Sequence, residues 1–265
     1  MSISPEASVE QNGVPARRRV GQWPAAERAV RLLPLVREAT ERLDLIVAGL
    51  DDDTIHQPSR LPGWSRAHVV THLARNADAL VNLLTWARTG VEHPMYASRA
   101  DRDADIDEGA DRLAQILRED LRAAGARFLV AATEQPERAW TATVAARMQG
   151  AISASEVPSM RLFELWVHLV DLGVDFTFDD VPAHHLEALV AGAVSPHSGR
   201  PDWPVMRLTA ELPGDRTHTV DLTGGRGDDR TYELAGPAPD VVAWLTGRGD
   251  GTALRGDVPV LPAWG

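Results

Sequence analysis

A carboxylate and an imidazole lie four residues apart in the apolar segment 163–172. Residues at this spacing project from the same face of a helix, so the side chains of Glu164 and His168 are expected to lie side by side. Leucine, valine and tryptophan surround them, which indicates burial. A buried ionisable pair destabilises a fold unless something compensates it. A bound divalent metal is one such compensation, and a hydrogen bond between the two side chains is another.

A second i,i+4 pair, His68 and His72, occurs in an upstream segment. Ser65 is a suitable N-cap for the helix that would carry this pair, and Gly90 suits the left-handed position at its end. Because one helix cannot close a metal site, these histidines are the candidates for a third ligand. Taken alone, each histidine is more often a hydrogen-bonded core or surface residue than a ligand, so the residues by themselves leave the question open.

Composition narrows the possible chemistry and partners. The chain has 265 residues, of which 44% are hydrophobic and 25% charged, as in an ordinary globular protein. A net charge of −11 argues against nucleic-acid binding, and no apolar run is long enough to span a membrane. The N-terminus has no apolar segment typical of a secretory signal, so we expect a cytoplasmic protein. Cysteine is absent, so any metal must be held by histidine and carboxylate, and any thiol chemistry needs an external thiol.

Apolar periodicity predicts a helical N-terminal part. Residues 1–22 are polar and are expected to form a disordered tail. Four long helices are predicted at 25–50, 66–88, 106–133 and 158–172, with an acidic loop between the second and third. Such helices form a bundle, whose sites are built from inward-facing side chains of neighbouring helices. We assign residues 23–180 to this bundle; the stretch 140–151 is ambiguous between helix and strand.

The pattern changes after residue 180, and residues 181–265 are predicted to form a small α+β domain. A helical pattern covers 182–194, and alternation predicts strands at 205–212, 217–222 and 230–234. Glycine-rich turns are predicted at 224–227 and 236–237, before a last helix at 240–246. The predicted fold class is therefore α+β, with a four-helix bundle followed by a small C-terminal domain.

Several motifs together resemble one known family. They are Leu-Pro-Gly-Trp-Ser-Arg-Ala-His-Val-Val-Thr-His at 61–72, Trp-Ala-Arg-Thr-Gly-Val-Glu-His-Pro-Met-Tyr at 86–96, Glu-Leu-Trp-Val-His-Leu-Val-Asp-Leu-Gly at 164–173 and Thr-Gly-Arg-Gly-Asp-Gly at 246–251. They resemble the mycothiol-dependent maleylpyruvate isomerases over the chain from about residue 30 to the end. The Pro-Met-Tyr run narrows the resemblance from the broad DinB-like superfamily to this branch.

The resemblance implies one zinc ion held by His72, Glu164 and His168. Such a set, with nitrogen and oxygen donors and an open position, is typical of catalytic zinc. His68 is then not a ligand, and we expect a structural role for it. Asn76 and Asp171, one turn beyond two of the ligands, are expected to fix ligand orientation.

The resemblance also implies a cationic residue for the substrate, which would be a dianion. Arg248, between two glycines, is predicted to bind a substrate carboxylate as a catalytic residue, because its planar fork suits bidentate pairing. Arg75, Arg88 and Arg161 are further candidates, each more often found on a surface or in a salt bridge.

The implied reaction is the cis–trans isomerisation of maleylpyruvate to fumarylpyruvate with mycothiol as thiol cosubstrate. A thiolate adds to the conjugated double bond, the resulting single bond rotates, and elimination gives the trans product. A mycothiol S-transferase of the same fold is the nearest alternative, since it starts with the same attack. A non-catalytic binding module, in which Glu164 and His168 form only a hydrogen-bonded pair, is the alternative from another class. The expected partners are a small-molecule substrate and a low-molecular-weight thiol, and the expected state is a monomer.

Overall fold

The computed structural model describes residues 24–146, 150–223 and 230–262. The predicted tail and the predicted turn at 224–227 lie outside these ranges. The helices of the N-terminal part are α1 (Ala25–Ala48), α2 (Asp52–Ile55), α3 (Arg66–Thr89), α4 (Arg99–Ala110), α5 (Ala114–Thr133) and α6 (Val157–Asp171). The remaining helices are α7 (Leu186–Val194) and α8 (Ala238–Leu245).

Helices α1, α3, α5 and α6 form a four-helix bundle. Each of them packs against two neighbours, in the cyclic order α1–α5–α3–α6. The apolar stripe of α1 is buried at intervals of three and four residues, as at Ala29, Leu32 and Val36, because that spacing keeps one helix face toward the core. The predicted bundle of the fold class is therefore present.

The ends of α3 follow from its capping residues. The Ser65 hydroxyl accepts a hydrogen bond from the backbone N–H of His68, and the Ser65 N–H donates to His68 Nδ1, which completes a capping box. Gly90 ends the helix with a φ of 73°, a conformation that glycine adopts without strain. Both predicted boundary signals are confirmed, and the caps fix the position of His72 along the helix axis.

The prediction of one helix over 106–133 is wrong. Two helices, α4 and α5, meet at Asp111–Leu113, and α4 also occupies much of the predicted acidic loop. The break is held by a tertiary contact, because the Asp52 carboxylate accepts from the Ala114 N–H at 2.6 Å and so caps α5. A partner from 62 residues away cannot be read from local periodicity.

A pair of short antiparallel strands precedes α6. The strands are β1 (Thr143–Ala146) and β2 (Gly150–Ser153), in the stretch that the sequence left ambiguous. Helix α6 then begins with Pro158 in its first turn, and Gly173 follows its end with a φ of 66°. The predicted bounds of this helix are confirmed to within one residue.

The C-terminal region contains a three-stranded sheet with two helices. Its strands are β3 (Met206–Leu212), β4 (Arg216–Leu222) and β5 (Tyr232–Pro237), in the order β4–β3–β5. Strand β3 is antiparallel to β4 and parallel to β5. The predicted turn at 236–237 is wrong, because Gly236 and Pro237 pair with β3 and α8 follows directly. The helix predicted over 182–194 is shorter, since α7 begins only at Leu186.

The buried core continues from the bundle into the C-terminal region. Helix α7 packs on α6 and on α8, so apolar residues of both parts form one cluster. The α+β class is thus confirmed, while the division into domains at residue 180 stays a prediction. Among the helices in the described ranges, none is long and apolar enough to cross a membrane.

Candidate metal centre and cavity

Three side chains from two helices meet between α3 and α6 of the bundle. His72 of α3 places its Nε2 2.9 Å from Oε2 of Glu164 and 3.1 Å from Nε2 of His168, both of α6. The third side of this triangle, between Glu164 Oε2 and His168 Nε2, is 3.2 Å. Donors about 2.05 Å from a tetrahedral ion would lie about 3.3 Å apart, so the observed separations fit a zinc-sized ion.

The sequence places these side chains through two helix registers. The four-residue spacing of Glu164 and His168 puts them one turn apart on the face of α6 that meets α3. His72 lies on the facing stripe of α3 and is 5% exposed, whereas the two α6 side chains keep partial exposure toward a cavity. The cluster is therefore closed on the bundle side and open on the cavity side.

Asp171 determines how His168 presents its ring. Its carboxylate can only accept, so the 2.8 Å contact to Nδ1 requires the proton of His168 on Nδ1. When His168 is neutral, its lone pair is therefore on Nε2, the atom that faces His72 and Glu164. Arg248 in turn donates Nε and Nη2 to the two oxygens of Asp171, at 2.9 and 2.6 Å. This chain of contacts matches the way carboxylates orient metal-binding histidines.

Charge interactions within the cluster oppose the cost of burying it. Burial alone would raise the pKa of Glu164, but hydrogen bonds from His168 and His72 hold it well below the usual range. Burial would lower the pKa of His168, and the bonds to Asp171 and Glu164 outweigh this and raise it. Burial lowers the pKa of His72 to about 4, since the bond to Glu164 compensates it only in part. Glu164 is thus a carboxylate and His72 a neutral imidazole at neutral pH.

The cluster forms one wall of a cavity of about 590 Å³. Its apolar lining includes Trp64, Met95 and Phe163, and the hydroxyl-bearing residues at 96, 159 and 195 also line it. Three arginines also line it: Arg99, Arg102 and Arg248. A small molecule with both apolar and anionic parts would fit such a lining.

The structure brings most of the predicted site residues together. Arg248 lines the cavity, as predicted, but its Nε and Nη2 are bonded to Asp171 and its Nη1 donates to the Thr246 carbonyl at 2.6 Å. Asp171 makes the predicted contact with His168, which is itself a ligand only by prediction. His68 has the structural role that was expected, because it closes the capping box of α3 and stacks on Trp64.

Asn76 and three of the candidate arginines do not make the predicted contacts. Asn76 was expected to orient a ligand, but its Oδ1 accepts from Arg161 Nη1 at 2.9 Å. Arg161 itself is buried behind the cluster, and burial lowers its pKa to about 10. Arg75 forms a salt bridge with Asp120 at 2.7 Å and, like Arg88, does not line the cavity.

Two arginines of the cavity wall were missed from sequence. Arg99 and Arg102 belong to α4, which was predicted to be part of an acidic loop. The sequence feature that indicates the start of this helix is Ser98, whose side chain caps the helix by accepting a hydrogen bond from the Asp101 N–H. The helix is otherwise polar, with Ile106, Gly109 and Ala110 as its buried residues, so it carries almost no apolar periodicity.

A second cluster has the same composition as the first. Glu38 Oε2 lies 2.8 Å from His184 Nε2 and 3.0 Å from His185 Nε2. However, Trp166 donates its indole N–H to Nδ1 of His185 at 3.1 Å, so neutral His185 must carry its proton on Nε2. That nitrogen donates to Glu38 and has no lone pair for an ion. Because Trp166 is buried, this tautomer is fixed, and the arrangement fits a structural hydrogen-bond network better than a metal site.

The protein is therefore a four-helix-bundle protein with a candidate metal centre, in which two histidines and one glutamate face a cavity. A family model described as the mycothiol maleylpyruvate isomerase N-terminal domain matches residues 36–173, about half of the chain. The chain belongs to the mycothiol-dependent maleylpyruvate isomerase family.

Solved structures extend the similarity to nearly the whole chain. The crystal structure of a mycothiol-dependent maleylpyruvate isomerase is 30% identical, with a TM-score of 0.74, and covers 94% of this chain and 100% of that chain. A histidine-to-alanine mutant of such an enzyme is 29% identical, with the same TM-score and coverage. The described helical part and C-terminal sheet region therefore follow the fold of these isomerases.

Two curated relatives are also similar. Both are uncharacterized proteins of Mycobacterium tuberculosis, from strains CDC 1551 / Oshkosh and H37Rv, and both are 28% identical over 144 residues. The match covers 52% of this chain and 53% of each relative. The chain thus spans about half the length of the curated relatives it matches, and their names add nothing on activity.

Proposed function

We propose that this protein is a zinc-dependent isomerase that converts maleylpyruvate to fumarylpyruvate with mycothiol as cosubstrate. One observation carries the proposal: His72, Glu164 and His168 converge on a cavity in a chain without cysteine. The family membership supports the thiol, because this chain has no thiol of its own to attack a double bond.

The donor set fits the proposed metal. Two imidazoles and one carboxylate that face a cavity are a ligand set typical of catalytic zinc. A bound zinc ion would supply Lewis acidity that keeps a thiol deprotonated near neutral pH. His168 is oriented for ligation by Asp171, and the negative charge of Glu164 lowers the electrostatic cost of placing a cation there.

The proposed reaction needs no oxidant or reductant. The sulfur of the thiolate forms a bond to one carbon of the cis double bond, and the displaced electron pair moves onto the conjugated carbonyl oxygen. The former double bond is now single and rotates. The electron pair then returns, the carbon–sulfur bond breaks, and thiolate and trans product leave.

The cavity residues have separate tasks in this scheme. The apolar wall with Trp64 and Phe163 would exclude water from the addition intermediate. Arg248 would hold Asp171 and present its positive charge to one carboxylate of the substrate. Its contact with Asp171 thus connects substrate binding with the orientation of His168.

The test is an activity assay of the purified, zinc-loaded protein with maleylpyruvate, followed by product analysis. We expect no turnover with protein alone and turnover when mycothiol is added. Full isomerase activity without any added thiol would overturn the mechanism. A stable thiol adduct without isomerisation would instead favour the S-transferase alternative, which shares the first step and lacks the elimination.

A further inference from the structure

Arg102 lines the cavity and contacts His72 from outside the cluster. Its guanidinium is mostly buried, with 12% of the side chain exposed, and lies 5.9 Å from the ring centre of Tyr96. Its Nη1 donates to Asp103 at 2.7 Å, and its Nη2 lies 3.2 Å from Nδ1 of His72. Arg102 therefore touches a candidate metal ligand on the side away from the metal position.

This contact requires a particular form of His72. A guanidinium can only donate, so His72 Nδ1 accepts and the ring proton sits on Nε2. Ligation of a metal through Nε2 needs the opposite arrangement, with the lone pair on Nε2 and the proton on Nδ1. Two N–H groups cannot point at each other at 3.2 Å, so this Arg102 contact and ligation by neutral His72 exclude one another.

The cavity offers Arg102 a second position for its charge. Arg102 and Arg99 of α4 both line the cavity, as does Tyr96, whose ring lies near the guanidinium of Arg102. Arg248 already has Nε, Nη1 and Nη2 engaged with Asp171 and Thr246. A dianionic substrate needs a second cationic partner, and a guanidinium that leaves His72 would remain beside the cavity with a donor pair suited to a carboxylate.

We infer that Arg102 is a specificity-determining residue that exchanges its contact with His72 for a carboxylate of the ligand when the cluster holds a metal ion. The inference rests on the proposed function, because it takes the cluster as the metal centre and the ligand as a carboxylate. Metal and carboxylate then bind cooperatively, since each favours the position of Arg102 that the other needs, and this coupling is reciprocal.

Two binding measurements test the inference without any turnover. The first is the zinc affinity of the whole protein, measured by competition with a chromophoric chelator. The second is the affinity of the zinc-loaded protein for maleate, a simple cis dicarboxylate, measured by calorimetry. Variants Arg102→Leu and Arg102→Gln are compared with Arg122→Leu, which removes an exposed arginine paired with Glu119 on α5. Circular dichroism of each variant establishes that it is folded, and the glutamine variant keeps a polar end if leucine does not fold.

The expected results have opposite signs. Zinc affinity should rise about tenfold in both Arg102 variants, because no hydrogen bond from a guanidinium must be broken. Maleate affinity should fall about tenfold in the same variants, and the increase in zinc affinity that maleate causes should shrink. Arg122→Leu should match the unmodified protein in all of these.

Other outcomes separate this inference from the proposed function. Unchanged zinc and maleate affinities in both folded Arg102 variants would overturn the inference, whatever the protein catalyses. A protein that lacks isomerase activity but shows both shifts would overturn the proposed reaction while supporting the role of Arg102.

Discussion

The carboxylate of Asp171 accepts the Nδ1–H of His168 at 2.8 Å, so that neutral His168 carries its lone pair on Nε2, the atom that faces His72 and Glu164. In the second cluster, the indole of Trp166 donates to His185 and produces the opposite tautomer. Two clusters of identical composition thus differ in their outer partners. In the first cluster Arg102 donates to His72 in the same way, but Arg102 is a cavity side chain that can move, whereas the Trp166 indole is buried and fixes the tautomer of His185. Because a metal ligand needs a lone pair that faces the ion, we expect the first cluster rather than the second to hold one.

The first prediction concerns Asp171 itself. Asp171→Asn should reduce zinc affinity by about 10- to 100-fold, because a neutral amide orients His168 more weakly and leaves Arg248 without its charge partner. Chelator competition measures the effect. Asp120→Asn is the matched control, since it also removes a carboxylate paired with an arginine, Arg75, away from the cluster. Equal affinity in the Asp171 variant and the unmodified protein would show that the contact does not support ligation.

The second prediction compares the two clusters. Elemental analysis of the purified protein should find one zinc per chain, and His72→Ala, Glu164→Ala or His168→Ala should abolish it. Glu38→Ala in the second cluster should leave the stoichiometry at one, because His185 has no lone pair directed at an ion there. Full occupancy in the Glu164 variant would remove this residue from the ligand set. A second equivalent that disappears with Glu38 would show that the tautomer argument fails.

The sequence predicted the parts of the site that depend on local spacing. Glu164 and His168 share a helix face because they are four residues apart, and Ser65 and Gly90 mark the ends of α3 through capping chemistry. These signals are encoded within a few residues of each other. The register of His72 against α6 followed from the resemblance to a family, since periodicity alone allowed His68 as well.

The missed parts depend on contacts between distant residues. The start of α5 is fixed by Asp52, and α4 is held by a small apolar patch in an otherwise polar helix. Arg102 could not be placed at the cavity while α4 was predicted to be a loop. The pairing of Arg248 with Asp171 joins residues 77 positions apart, so no local pattern predicts that this arginine is already engaged.

The third prediction concerns the packing of Gly109 on α4 against Thr71 on α3. A Cβ added at Gly109 would lie 2.4 Å from Cγ2 of Thr71, which is buried on α3. Gly109→Ala should therefore lower the free energy of unfolding by about 1 to 2 kcal/mol, because overpacking outweighs the gain of about 1 kcal/mol in helix propensity. Denaturant titration measures it.

The Gly109 prediction has an internal control. Thr71→Ser removes the methyl group that the added Cβ would meet, so the Gly109→Ala cost should be much smaller in the Thr71→Ser background. An equal cost in both backgrounds would mean that this methyl group is not the obstacle.

The last prediction concerns the pH dependence of stability. His197 is buried and stacks on Trp203 with ring centres 3.5 Å apart, and burial lowers its pKa to about 4. The unfolded chain should bind a proton at this residue near pH 6.5, whereas the folded chain binds it only near pH 4. Between these values the unfolded state holds more protons than the folded state. The free energy of unfolding therefore falls as the pH falls from about 6.5 to about 4, and the contribution of this residue is fully present only above that range.

His197→Phe keeps an aromatic ring against Trp203 and removes the titrating group. The slope of unfolding free energy against pH between about 6.5 and 4 should therefore decrease, by at most about 1.4 kcal/mol per pH unit relative to the unmodified protein. Denaturant titrations at several pH values give this slope, and other histidines such as His72 contribute equally to both proteins. His56→Phe, which removes an exposed imidazole, controls for the substitution itself. An unchanged slope in the His197 variant would mean that the folded protein accommodates the imidazolium, so that burial of this ring does not disfavour its charge.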